Sequence, residues 1–161
     1  MEPELEEALY MEFPYLFSIL FEDQYQAPQQ PSNPHVSQIH IRSGWYKILY
    51  NLCLTLNAII AKEGLDPTNV YFTTIKQKFG VLRVYMRSTS RSPGDDLGQA
   101  LARATEESGR TCEECGEAGE LRMERWRAVR CDRCQVMWRE ERERRLRCWV
   151  AEQKERKGRW V

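Results

Sequence analysis

The residues with the clearest chemistry in this chain of 161 are four cysteines in two pairs, Cys112-Glu113-Glu114-Cys115 and Cys131-Asp132-Arg133-Cys134, separated by fifteen residues. Two cysteines three positions apart can turn both sulfurs toward one point in a tight knuckle, and two such pairs at this separation make a zinc pattern. Gly116 relieves the backbone just beyond the first knuckle. Four thiolates at about 2.3 Å fill a tetrahedral shell and leave no position for water, so the expected ion, Zn2+, is structural rather than catalytic. An iron site takes the same four ligands and stays open on spacing alone. A redox dithiol would need one pair, not two.

The remaining candidates for chemistry are weak. Cys53 lies on an apolar helical stripe, where a buried thiol is inert. Cys148 has no second ligand nearby, and His35 and His40 are not spaced as a helical ligand pair. The chain carries no P-loop, no dinucleotide-binding glycine pattern and no HExxH helix. The adjacent Asp95 and Asp96 suit a helix N-terminus, where carboxylates oppose the dipole. The expectation is a protein that is not an enzyme.

These cysteines need short strands to bring the knuckles together. Glu120–Glu124 and Trp126–Arg130 are suited to that, with Leu121, Met123, Trp126 and Ala128 expected over a very small core. Arg122, Arg127, Arg130 and Arg133 are placed to offset the net −2 charge of a divalent ion held by four thiolates. Ahead of the ribbon, Trp45, Leu49, Leu52, Cys53, Leu56, Ile59 and Ile60 recur at helical spacing behind a capping Ser43, and Gly64 is suited to stop that helix. Val70–Ile75 and Val81–Met86, rich in β-branched and aromatic residues, flank Gly80 as a hairpin. A second helix should start near Ser92-Pro93, bury Leu97, Ala100, Leu101 and Ala104, and end at Gly109. The fold class is therefore α+β: a small helix–hairpin–helix body, a four-cysteine zinc ribbon and a long C-terminal helix. The expected division is an acidic segment and Pro/Gln linker over 1–35, with Pro14 breaking any helix there; a body over 36–110, with a short strand at Val36–Ile41; the ribbon over 111–134; and a charged helix over 135–161.

Lys+Arg and Asp+Glu number 24 each, but they are segregated. Residues 1–60 hold two bases against seven acids, whereas residues 111–161 hold fourteen bases against eleven acids. In the tail, Glu140 with Arg144, Glu141 with Arg145 and Glu143 with Arg147 form i,i+4 pairs in the favourable order. Trp138, Arg142, Arg145 and Trp149 share a helical face, and arginine with tryptophan suits a protein hot spot or a stacked nucleic acid. Lys76, Lys78 and Arg83 put positive charge at one end of the hairpin, a contact surface for phosphate or an acidic partner. Arg127 and Arg130 extend the candidate contact residues into the ribbon.

No run approaches the ~20 apolar residues that span a bilayer, and Met1–Glu7 is acidic where a secretory signal is basic and then apolar. The expectation is a cytoplasmic protein with no membrane partner.

Gly44-Trp45-Tyr46, the run Ile75-Lys76-Gln77-Lys78-Phe79-Gly80-Val81-Leu82-Arg83-Val84-Tyr85, and Ser108-Gly109-Arg110-Thr111-Cys112-Glu113-Glu114-Cys115-Gly116 with a Trp before the second cysteine pair resemble small zinc-knuckle proteins of tailed phages and prophages. The resemblance covers roughly residues 43–134 and implies a phage setting, hence the host cytoplasm, and a zinc knuckle, without an established activity. Members often end soon after the second knuckle, whereas a long charged helix follows here. With no catalytic groups evident, the expected function is to bind and modulate a host macromolecular machine, a protein or ribonucleoprotein complex such as a CRISPR defence system. The alternative is direct binding of DNA or RNA through the arginine-rich ribbon and tail.

Overall fold

The computed structural model describes residues 1–18, 39–88 and 95–158. The Pro/Gln stretch, His35, most of the Val36–Ile41 strand and the Ser92-Pro93 helix start lie outside the described residues. The architecture is α+β, as the sequence pattern predicts. Helix α1 (Pro3–Glu12) leads to β1 (Ile39–His40), then α2 (Tyr46–Glu63), β2 (Val70–Lys78), β3 (Val81–Ser88) and α3 (Asp96–Ser108). The ribbon strands β4 (Glu120–Met123) and β5 (Arg127–Arg130) follow, and α4 (Asp132–Gly158) closes the chain.

The sheet runs β1-β2-β3, with β1 parallel to β2 and β2 antiparallel to β3. The hairpin is longer than the apolar runs suggest, and Phe79 and Gly80 form its turn. Both have positive φ, 58° and 85°, the backbone of the two-residue turn whose twist matches the flanking strands. Val70, Phe72, Ile75 and Leu82 point inward and are fully buried. Helix α3 packs on β3 and on α2. It also satisfies the backbone of β3: Ser108 Oγ accepts from Leu82 N at 2.8 Å, and Thr105 Oγ1 donates to Leu82 O at 3.1 Å. An otherwise open strand edge is thereby occupied at that residue.

The stripe on α2 behaves as its spacing predicts: Leu49, Leu52, Cys53, Leu56 and Ile60 are buried, and the helix ends at Gly64 with φ 62°. Ser43 does not cap it. A 3₁₀ turn over Ser43–Trp45 intervenes, and Ser43 Oγ accepts instead from the Glu2 amide at 3.0 Å. That bond helps seat the acidic N-terminus on the body. Helix α1 stops just before Pro14, and Leu9, Phe13, Leu16 and Phe17 enter the main core, where Phe17 meets Phe72 edge-on at 5.1 Å. The Phe72 amide donates to Leu16 O at 2.7 Å.

Candidate metal centre

The first knuckle is built by backbone hydrogen bonds that follow from its sequence. Gly116 N donates to Cys112 O at 2.9 Å, and Cys112 N donates to Glu117 O at 2.7 Å. The second knuckle opens α4: Gln135 N donates to Cys131 O at 2.9 Å, and Cys134 N reaches Cys131 Sγ at 3.5 Å. Cys134 thus stands in the first turn of the long helix, so the same residues hold the ligand set and launch the helix. Strands β4 and β5 pair antiparallel from Glu120↔Arg130 to Met123↔Arg127, and Glu113 N donates to Val129 O at 2.9 Å to bring the knuckles together.

The ligand atoms of Cys112, Cys115, Cys131 and Cys134 all lie within 4.8 Å of one another, close enough to hold a metal ion. Cys115 Sγ and Cys131 Sγ are 3.7 Å apart. A tetrahedron of metal–sulfur bonds near 2.3 Å has an edge of about 3.8 Å, so the spacing fits four thiolates on one ion. Cys112 and Cys134 are buried, Cys131 is half-buried and Cys115 is exposed. The amide of Cys134 holds the Cys131 thiol low, at about 7, whereas burial pushes Cys134 and Cys115 up.

Around the sulfurs, the arginines act on neighbouring carboxylates. Arg130 is 5% exposed and meets Glu113 at 3.2 Å and Glu114 at 3.6 Å. Burial pushes the Glu113 carboxyl up to about 7, against the pull of Arg130. Arg42 reaches Glu114 at 3.8 Å, and Arg122 bridges to Asp132 and Glu120. These contacts span body, ribbon and helix.

The ribbon's small core differs from its expected make-up. Leu121, Met123 and Trp126 are exposed, Trp126 by 69%, and Ala128 and Val129 are the buried pair. Strand alternation places Ala128 and Val129 on opposite faces, yet both are buried. Val129 joins the main core.

The candidate contact residues fall into two groups. Arg130 and Arg142 place their guanidinium groups 4.7 and 5.6 Å from the Trp138 ring. Arg42, Arg125, Trp126, Met137, Trp138, Arg142 and Arg145 line a cleft of about 530 Å³ between the ribbon turn and α4, beside Cys134. Sequence spacing does not reveal Arg42, Arg125, Trp126 or Met137 as its members. Trp149 stands further out on α4, exposed with Leu146 and Val150. Lys76, Lys78 and Arg83 form the second group on the hairpin, joined by Arg127, whose guanidinium lies 5.7 Å from the Phe79 ring. The ion pairs of α4 are Glu141 with Arg144 and Arg145, and Glu143 with Arg147, while the Glu140–Arg144 pair gives way to Glu141–Arg144.

Cys53 is fully buried and its thiol is pushed up by desolvation, as befits an inert core residue. Cys148 and His40 are exposed and belong to no cluster of metal-ligating groups among the described residues. No helix among the described residues is long and apolar enough to cross a membrane. In comparisons with protein-family models, curated proteins and solved structures, nothing matches this chain.

Proposed function

We propose that the chain is a zinc-stabilised, non-enzymatic binding protein that engages a protein machine through the cleft between its ribbon turn and α4. In the phage setting that the resemblance implies, that machine belongs to the host, and a defence complex such as a CRISPR effector is one candidate. The single observation behind this reading is the composition of the cleft. Trp126, Met137 and Trp138 line it, exposed or half-buried, beside Arg42, Arg125 and Arg142, with Glu114 and Glu141 also at its wall as partners of Arg42 and Arg145. Tryptophan, methionine and arginine are the residues enriched where protein partners bind tightly.

Zinc is the ion favoured by four thiolates in two knuckles with this sulfur spacing. Its task is mechanical: it fixes the turn carrying Trp126 against the helix carrying Trp138. The nucleic-acid reading through the tail has less behind it, because Arg144, Arg145 and Arg147 are each paired with a glutamate.

Affinity capture from nuclease-treated host lysate tests the proposal, comparing the wild-type chain with Trp126→Ala/Arg142→Ala. The expected result is a stoichiometric complex retained by the first and lost by the second, with one zinc per chain in both. Identical captures by the two proteins would overturn it.

A further inference from the structure

The hairpin carries a surface that the cleft does not use. Directly opposed residues of antiparallel strands share a face, so the register Tyr71↔Arg87, Thr74↔Tyr85 and Lys76↔Arg83 puts these six side chains together on the outer side of the sheet. The inner side is the apolar one packed on the core. Strands β2 and β3 contain Lys76, Lys78, Arg83 and Arg87 and no acidic residue, in a chain whose acids and bases are equal in number. None of these four bases has an ion-pair partner among the described residues, unlike Arg139, Arg144, Arg145 and Arg147 of the tail. Lys76 and Arg83 are moreover direct cross-strand partners, an arrangement of like charges that costs stability.

Two exposed rings lie within this charge. Tyr85 is 47% exposed, with the Lys76 Nζ 5.4 Å from its centroid. Phe79 is 61% exposed at the tip, with Lys78 Nζ at 5.3 Å. Phe79 holds φ 58°, a region that penalises a bulky side chain and suits Asn or Gly. Its ring is mostly in water, with the cations of Lys78 and Arg127 over it. A strained, solvent-facing aromatic beside cations with no ion-pair partner among the described residues is better suited to a ligand than to the fold.

We infer that the outer face of the β2–β3 hairpin binds single-stranded nucleic acid. The bases stack on Tyr85 and Phe79, about 13–20 Å apart at the rise of an extended strand, while Lys76, Lys78, Arg83 and Arg87 meet the phosphates. A run of Asp and Glu would use the cations but brings no ring to stack on two exposed aromatics, and a duplex would keep its bases stacked inside. This surface is separate from the cleft beside α4 and stands or falls independently of it.

The test is fluorescence anisotropy with the full-length metal-loaded chain and labelled twelve-nucleotide oligo-dT, oligo-rU and a matched duplex, from 50 to 300 mM salt. The single strands should bind more tightly than the duplex, with log K falling against log salt by about 0.7 per phosphate contacted. Lys76→Gln/Arg83→Gln should flatten that slope by about 1.4. Tyr85→Ala should weaken binding about 5- to 160-fold without changing the slope, since one stacked base is lost. Trp126→Ala should leave binding unchanged, which separates this result from any failure of the cleft. No binding at 50 mM salt overturns the inference. So does displacement of the oligonucleotide by poly-glutamate with indifference to Tyr85→Ala, which would assign the face to an acidic protein.

Discussion

The amide of Gly44 donates to the carbonyl of Glu113 at 3.0 Å, and a Cβ on Gly44 would lie 2.4 Å from the Cys112 carbonyl oxygen. The turn that begins α2 therefore rests directly on the backbone of the first cysteine knuckle. Next to it, the fully buried Trp45 donates its indole N–H to Thr111 O at 2.7 Å. Body and ribbon meet here backbone to backbone, with no room for a side chain between them. Gly44→Ala should then cost about 3 kcal/mol, because the backbone on both sides must move. A thermal melt of the metal-loaded variant checks this, and a melting temperature within a degree of wild type would show that the two parts do not depend on this contact.

Removing the metal should reach the same contact from the other side. Ion binding is coupled to folding where the ion ties distant ligands together, so Cys112→Ser, or a strong chelator, should loosen the ribbon and expose Trp45. Elemental analysis should give one zinc per wild-type chain and much less for Cys112→Ser. Tryptophan emission should shift to the red on metal loss. An unshifted spectrum with the metal gone would mean that the ribbon holds its shape without it.

Much of this is legible in the order of amino acids alone, for physical reasons that differ from part to part. The ligand set is local in sequence, so Cys112, Cys115, Cys131 and Cys134 declare themselves by spacing. The stripe on α2 and the β2–β3 hairpin declare themselves by period. The docking of Gly44 on the knuckle does not, because a glycine beside a tryptophan carries no trace of what lies sixty-odd residues away. The same holds for Arg130, whose charge suggests a surface contact until Glu113 and Trp138 enclose it. Trp126 errs in the opposite direction: an aromatic in a strand pattern suggests core, but the turn of the ribbon carries it outward.

The enclosure of Arg130 has an energetic consequence. Arg130 and Glu113 side chains are only 6% and 7% exposed and lie 3.2 Å apart. Breaking such a pair from one side strands a buried charge, so Arg130→Ala should destabilise the chain by about 3–5 kcal/mol. The double variant Glu113→Gln/Arg130→Met removes both charges at similar volume and should recover most of that loss. Denaturant melts of the three proteins, each with its metal content measured, check the ordering. A single variant as stable as the double one would mean that solvent, rather than Arg130, balances Glu113.

Phe79 tests how far the hairpin departs from what folding alone would select. With φ 58° at Phe79 and 85° at Gly80, the turn has the backbone for which Asn-Gly is the favoured pair. A left-handed conformation costs a residue with a Cβ about 1–2 kcal/mol, a penalty that Asn offsets in part through its short polar side chain. Phe79 recovers little of this by burial, since its ring is 61% exposed. Its neighbours Lys78 and Arg127 lie 5.3 and 5.7 Å from the ring, contacts worth about 0.5–1 kcal/mol each at an exposed site. Together they amount to about 1–2 kcal/mol, as much as the strain, and Asn relieves the strain only in part, so Phe79→Asn should leave stability within about 1 kcal/mol of wild type, or ~2–4 °C in melting temperature for a chain of this size. A melting temperature lowered by clearly more than that would place the ring among the contacts that hold the hairpin to the ribbon, and its exposure would then have to be explained by packing rather than by a ligand.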